Sequence, residues 1–129
     1  MKENNPWGFH LIIDAAECSN VEDAEKIKAF AKDLVKRINM VAYGDPQVIH
    51  FGSGHLEGNT LLQFIETSNI IAHFCDEEGS CFLDVFSCKT FDPQDAVKCF
   101  EEHFLPKFVK TVWLERSIPL SSSDITLGI

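Results

Sequence analysis

The chain carries five cysteines, but no two form a CxxC pair and an odd number cannot all be bridged. Neither a secreted disulfide scaffold nor a zinc ribbon is expected, and reduced thiols in a cytoplasmic compartment fit better. No stretch approaches the roughly 18–20 apolar residues that span a bilayer. The opening MKENNPWGFHLIID lacks the apolar core and small-residue cleavage site of a signal peptide. Basic side chains are few: eleven Lys and Arg against twenty Asp and Glu leave a net charge of −9. That balance argues against nucleic acid or anionic membrane as partner and is compatible with a cationic ligand. The glycine-rich stretch FGSGHLEGN, residues 51–59, lacks the GK[ST] ending of a phosphate-binding loop and does not fit GxGxxG. It reads as a flexible strand connection. His50 and His55 border it without carboxylate or thiol companions at ligand spacing, and Cys75, Cys81 and Cys88 match no zinc pattern. No metal is expected, and these three cysteines are most simply buried small hydrophobes.

What remains is ordinary globular composition, with 45% apolar and 24% charged residues in 129. One domain is expected over residues 1–119, with a loose Ser-rich tail at 120–129. Residues 7–14 (WGFHLIID) read as a first strand. Asn20 then reads as a helix N-cap with Asp23 three positions on, followed by Ala24, Ile27, Ala31, Leu34 and Ile38 at helical spacing. YGDP, residues 43–46, reads as a turn before a short strand at 47–51. Strands are expected at 60–67, 69–74 and 81–87, the last two joined by the DEEGS turn. Asp92-Pro93 marks a second helix start, with Ala96, Val97, Phe100 and Phe104 as its apolar stripe, and TVWLER at 111–116 reads as a last strand. This order predicts an α+β, two-layer sandwich: a mostly antiparallel sheet with two helices on one face. Eleven Phe and two Trp favour burial of the other face against a second subunit.

Three residues in the second half carry chemistry. Ser68 is followed by His73 five positions on and by Cys88 twenty positions on. An odd separation puts Ser68 and His73 on opposite faces of a regular strand, so a shared site requires a bend or bulge just after Ser68, where Asn69 stands. Spacing alone is satisfied equally by structural roles for all three.

Set in the whole chain, these residues resemble the small prokaryotic type of S-adenosylmethionine decarboxylase, a pyruvoyl-dependent family. The likeness covers most of residues 7–117. GFHL, residues 8–11, is similar to the family's G-x-H-L strand; Glu17-Cys18 stands where an acidic-Cys pair is common; VFSC, residues 85–88, is similar to its hydrophobic-Phe-Thr-Cys. Thr60 keeps a hydroxyl at the place of a processing serine. Two departures stand out. Thr67-Ser68-Asn69 replaces the usual E-S-H, and Cys75-Asp76-Glu77 replaces an aromatic-Pro-Glu stretch.

The resemblance implies that Ser68 attacks the Thr67 carbonyl and exchanges the peptide bond for an ester. His73, as processing base, would assist the elimination that leaves a pyruvoyl group in place of Ser68. That group would form a Schiff base with a small-molecule amine substrate, Cys88 would return a proton to the α-carbon, and Glu77 would bind substrate. The product would be a homodimer of processed α and β chains making the precursor of spermidine. Two alternatives stay open: the same mechanism on L-ornithine or L-arginine, whose cationic side chains suit Asp76, Glu77 and Glu78, and an unprocessed homologue with a binding or regulatory role.

Overall fold

A computed structural model describes residues 6–120. The chain enters as β1 (Gly8–Ala16) and crosses the sheet as α1 (Ala24–Arg37). It then runs through β2 (Ala42–Phe51), β3 (Gly58–Ile65), β4 (Ser68–Cys75) and β5 (Ser80–Ser87) before α2 (Pro93–Phe104) and β6 (Phe108–Arg116). The six strands lie in the order β2-β3-β4-β5-β1-β6, with every neighbouring pair antiparallel. Consecutive hairpins build β2 to β5, while the two helices carry the chain over the strands that intervene. The result is the expected two-layer α+β sandwich.

Alternation along the strands explains the layering. Leu11, Ile13 and Ala15 on β1, Ile70, Ala72 and Phe74 on β4, and Leu83 and Val85 on β5 are buried against Ile27, Phe30, Ala31 and Leu34 of α1 and Ala96, Phe100 and Phe104 of α2. Phe30 meets Phe100 and Phe104 edge-on, with ring centroids 6.0 and 4.9 Å apart, and Phe104 lies 5.1 Å from Phe74. This phenylalanine cluster ties both helices to the middle of the sheet, and aromatic pairs of this kind add to the gain from burial alone.

Local chemistry differs from the sequence reading at three places. Asn20 does not cap α1. Its φ is +67°, its Nδ2 donates to the His103 carbonyl, and the cap is Asp23, whose carboxylate accepts from the Glu25 and Lys26 amides. YGDP is not a free turn: it lies within edge strand β2 as a register shift between Tyr43 and Gln47, where a proline is tolerated. Strand β3 ends at Ile65, because Glu66 and Thr67 make the two-residue turn into β4. At α2 the reading holds, with Asp92 accepting from the Gln94 amide and proline in the first turn. The loose tail expected at 120–129 lies outside the described residues, apart from Leu120.

All five cysteines are free. Cys75, Cys81 and Cys99 are buried, whereas Cys88 is exposed, contrary to its reading as a buried small hydrophobe. Among the described residues, no helix is long and apolar enough to cross a membrane.

Candidate functional site

The helix-free face of the sheet is partly apolar. Tyr43, Ile49, Phe51, Phe64, Ile71, Phe82 and Leu114 are exposed, and strand alternation with the observed register puts them on this face. One row across it reads Ile49, Thr60, His73, Phe82, Asp14, and a second reads Tyr43, Phe64, Asn69, Phe86, His10, Leu114. His10 Nε2 and Asp84 Oδ1 are 2.9 Å apart on the same face, and the His10 ring stands edge-on to Phe86. Sheet geometry alone has therefore gathered aromatic and titratable groups on a surface that no described helix covers.

The residues singled out by spacing fall at two ends of this sheet. At one end the hairpin between β3 and β4 presents Thr67 and Ser68. The Cys88 amide donates to the Thr67 carbonyl oxygen at 3.2 Å. The Thr67 hydroxyl lies 2.7 Å from the Ser87 hydroxyl and donates to the Met40 thioether at 3.5 Å, and the Ser87 oxygen also accepts from the Lys89 amide. Ser68 pairs with Ser87 across the ladder, and its hydroxyl accepts from Asn69 Nδ2 at 3.2 Å. Thr67, Ser68 and Cys88 are thus brought together. Ser87 and Met40 join them; sequence reasoning gave neither a role, since Ser87 stood in VFSC only as a neighbour of Cys88 and Met40 belongs to no chemical motif.

At the other end stands His73. Its Nδ1 lies 2.9 Å from the Thr60 hydroxyl, the residue opposite it on β3, and its ring sits 6.3 Å from that of Phe51. No bend or bulge follows Ser68. The pairing of β4 with β5 runs without a break from Ser68 to Cys75. Ser68 and His73 therefore fall on opposite faces, and at about 3.3 Å per residue they stand about 17 Å apart along the strand. The bulge expected at Asn69 is absent because Glu66 and Thr67 already absorb the chain reversal, leaving β4 regular.

Glu77 lies in the turn between β4 and β5, beyond the His73 end. With Asp76, Glu78, Cys18 and residues 20–25 it lines an open cavity of about 700 Å³. The lining includes six carboxylates and no Lys or Arg, a chemistry suited to a cation. Burial pushes the Cys18 thiol up to about 11, so it stays protonated at neutral pH.

The arrangement offers two half-sites on one sheet: a hydroxyl beside a polarised carbonyl with a thiol following it, and an imidazole fixed by a threonine near an acidic turn. The chain matches the S-adenosylmethionine decarboxylase family across residues 9–117. The S-adenosylmethionine decarboxylase proenzymes of Thermococcus kodakarensis and Thermococcus gammatolerans are each 27% identical to it over 129 residues, covering 98% of this chain and 87% of theirs. The crystal structure of the adenosylmethionine decarboxylase from Aquifex aeolicus VF5 has the same fold, with a TM-score of 0.71 at 22% identity, covering 93% of this chain and 98% of that one. The family match takes in both half-sites, and the chain belongs to the S-adenosylmethionine decarboxylase family.

Proposed function

We propose that the protein is made as a proenzyme, cuts itself between Thr67 and Ser68, and then decarboxylates S-adenosylmethionine for spermidine synthesis in the cytoplasm. The observation that carries this is the Cys88 amide 3.2 Å from the Thr67 carbonyl oxygen. Attack by the Ser68 hydroxyl puts negative charge on that oxygen, and a donor already aimed at it stabilises the charge as it develops.

The residues present fit a pyruvoyl group made from the chain itself. Ser68 supplies the β-oxygen that elimination needs, at a chain reversal where a new N-terminus can separate from Thr67. Such a group supplies a carbonyl that captures an amine and accepts the electrons released as carbon dioxide departs. Around it, the exposed Cys88 thiol returns a proton to the α-carbon, and Thr67 and Ser87 hold each other's hydroxyls at the cut end.

His73 acts as base in the tautomer that donates Nδ1–H to the Thr60 oxygen, which leaves Nε2 its lone pair. It works on a second copy of the chain. Within one copy it stands about 17 Å from Ser68, whereas two sheets packed with two-fold symmetry through the faces that no described helix covers bring opposite ends together. Ser68 is reached there at the open hairpin end of β4 rather than across the face. In this homodimer the Thr60–His73 pair and Glu77 come from one protomer, and Thr67, Ser68 and Cys88 from its partner. The acidic turn accommodates the sulfonium charge of S-adenosylmethionine as well as it would a guanidinium, so its charge does not favour arginine or ornithine.

Intact mass and carbon dioxide release test the proposal. The expected result is two fragments separating at Thr67/Ser68, the second blocked at its N-terminus, with release from carboxyl-labelled S-adenosylmethionine. A single uncut chain, or a cut chain that releases nothing from this substrate, overturns it.

A further inference from the structure

Spacing along the sequence leaves His50 without companions, but the fold supplies two. His50 stands near the end of β2, Glu57 just before β3, and Asp76 just after β4, so three separate segments meet at one corner of the sheet. His50 Nε2 lies 2.8 Å from Asp76 Oδ2 and 3.5 Å from Glu57 Oε2, and one ligand atom from each residue lies within 4.8 Å of the others. Around a zinc-type ion with bonds of about 2.0–2.2 Å, ligand atoms stand about 3–3.5 Å apart. The His50–Glu57 separation already matches. The 2.8 Å His50–Asp76 contact is a hydrogen bond that opens by a few tenths of an ångström when an ion replaces its proton, and rotation of the half-exposed Glu57 carboxylate closes the third side.

The corner also carries uncompensated charge. Among the described residues, the only cationic group within ion-pair distance of Glu57 or Asp76 is the imidazole itself. Asp76 Oδ1 is buried and makes no hydrogen bond to any described residue, a rare state for a carboxylate oxygen and one that a bound ion or its water relieves.

The backbone is built to hold this geometry. Gly52 has φ +94°, and a Cβ there would stand 2.6 Å from the Leu56 carbonyl oxygen; at Gly58 it would stand 1.7 Å from that of Phe74. Only glycines let the 52–57 loop fold back and β3 approach β4 so closely, and the Asp76 amide then bonds to the Glu57 carbonyl at 2.9 Å. A second cluster, Asp33, Cys99 and His103 between the helices, has equally close ligand atoms. There Arg37 already lies 3.6 Å from Asp33, and the Cys99 thiol is pushed up to about 12, chiefly by burial, which opposes the thiolate that a metal needs.

We propose that His50, Glu57 and Asp76 bind one divalent transition-metal ion of the zinc class, pinning the 52–57 loop to the end of β4. An imidazole among the ligands selects against magnesium and calcium. The site is separate from the self-cleaving machinery, shares Asp76 alone with the acidic cavity, and its metal binding does not depend on the decarboxylase reading.

The test is calorimetric titration of chelator-stripped, full-length protein with zinc chloride, repeated with magnesium chloride. One zinc per chain is expected, with a rise in the thermal unfolding midpoint on saturation and no comparable magnesium binding. His50→Gln and Glu57→Gln should each weaken zinc binding by at least about tenfold. His103→Gln should leave it unchanged. Both ligand variants replace side chains about half exposed, so retention of the wild-type circular dichroism spectrum is expected. Absence of saturable zinc binding, full binding in both ligand variants, or loss in His103→Gln or Cys88→Ala instead overturns the proposal.

Discussion

The main-chain amide of Cys88 points at the carbonyl oxygen of Thr67, 3.2 Å away, while its side chain is exposed beside the same hairpin. In the proposed reaction one residue thus offers two separable groups: a backbone donor for the carbonyl to be attacked and a thiol for later proton return. Cys88→Ala keeps the donor and removes the thiol, so cleavage should proceed and decarboxylation should fall by about two or more orders of magnitude. Cys88→Pro removes the donor, and cleavage should slow by roughly tenfold to a thousandfold, in line with loss of one oxyanion donor. Time-resolved electrophoresis of freshly made chains distinguishes the two variants.

The separation of Ser68 from His73 makes a complementation experiment decisive. Ser68→Ala and His73→Ala chains expressed alone should both stay whole. Expressed together, the His73→Ala chain should be cut, because its serine meets His73 of the partner subunit. No cleavage in the mixture would place both residues in one chain and contradict the two-copy site.

Thr60 orients the imidazole through a 2.9 Å bond to Nδ1. Loss of one neutral hydrogen bond is worth about 1 kcal/mol, so Thr60→Val should slow cleavage by about fivefold. Thr60→Ser should restore most of the rate. Equal rates in all three proteins would remove Thr60 from a positioning role.

Asp33 links the two helices, with His103 Nε2 at 2.8 Å and Arg37 at 3.6 Å. The bond to His103 is the largest cause holding its carboxyl below the ordinary value of 3.8. A group depressed in the folded state binds its proton more readily when unfolded. Its stabilising contribution is therefore complete above about pH 4 and is lost as pH falls through the lower folded value. Asp33→Asn should lower the melting temperature at pH 7, and the difference from wild type should shrink toward pH 2. Thermal melts across that range check both halves of the expectation.

The helix layer rests on Phe104, which is fully buried against Phe30, Phe74 and Phe100. Phe104→Ala should cost about 3–5 kcal/mol, since neighbouring rings held by the sheet cannot collapse into the space. Urea unfolding at fixed protein concentration measures it.

Much of the architecture was legible because it depends on local periodicity. α2 announces itself through Asp92-Pro93 and its apolar stripe, and β5 through the alternation of Cys81, Leu83 and Val85 with Phe82 and Asp84. The hydroxyl, imidazole and thiol at their intervals also stood in the sequence, and the whole-chain likeness from GFHL to VFSC gave them a reading. What periodicity could not decide was where edges and turns fall. YGDP has turn composition, but an edge strand can absorb a bulge and a proline that a central strand cannot. Which residue caps α1 was likewise settled by Asn20 bonding across to α2, leaving Asp23 to accept the free amides. Only the tertiary structure separated Ser68 from His73, because an unbroken ladder on both sides of β4 holds the strand straight and fixes the faces. It likewise joined His50 to Glu57 and Asp76, residues that only pairing between strands brings into reach. A sequence displays what each side chain is able to do, whereas distance between chain segments is a property of hydrogen-bond register, and register is decided by the sheet as a whole.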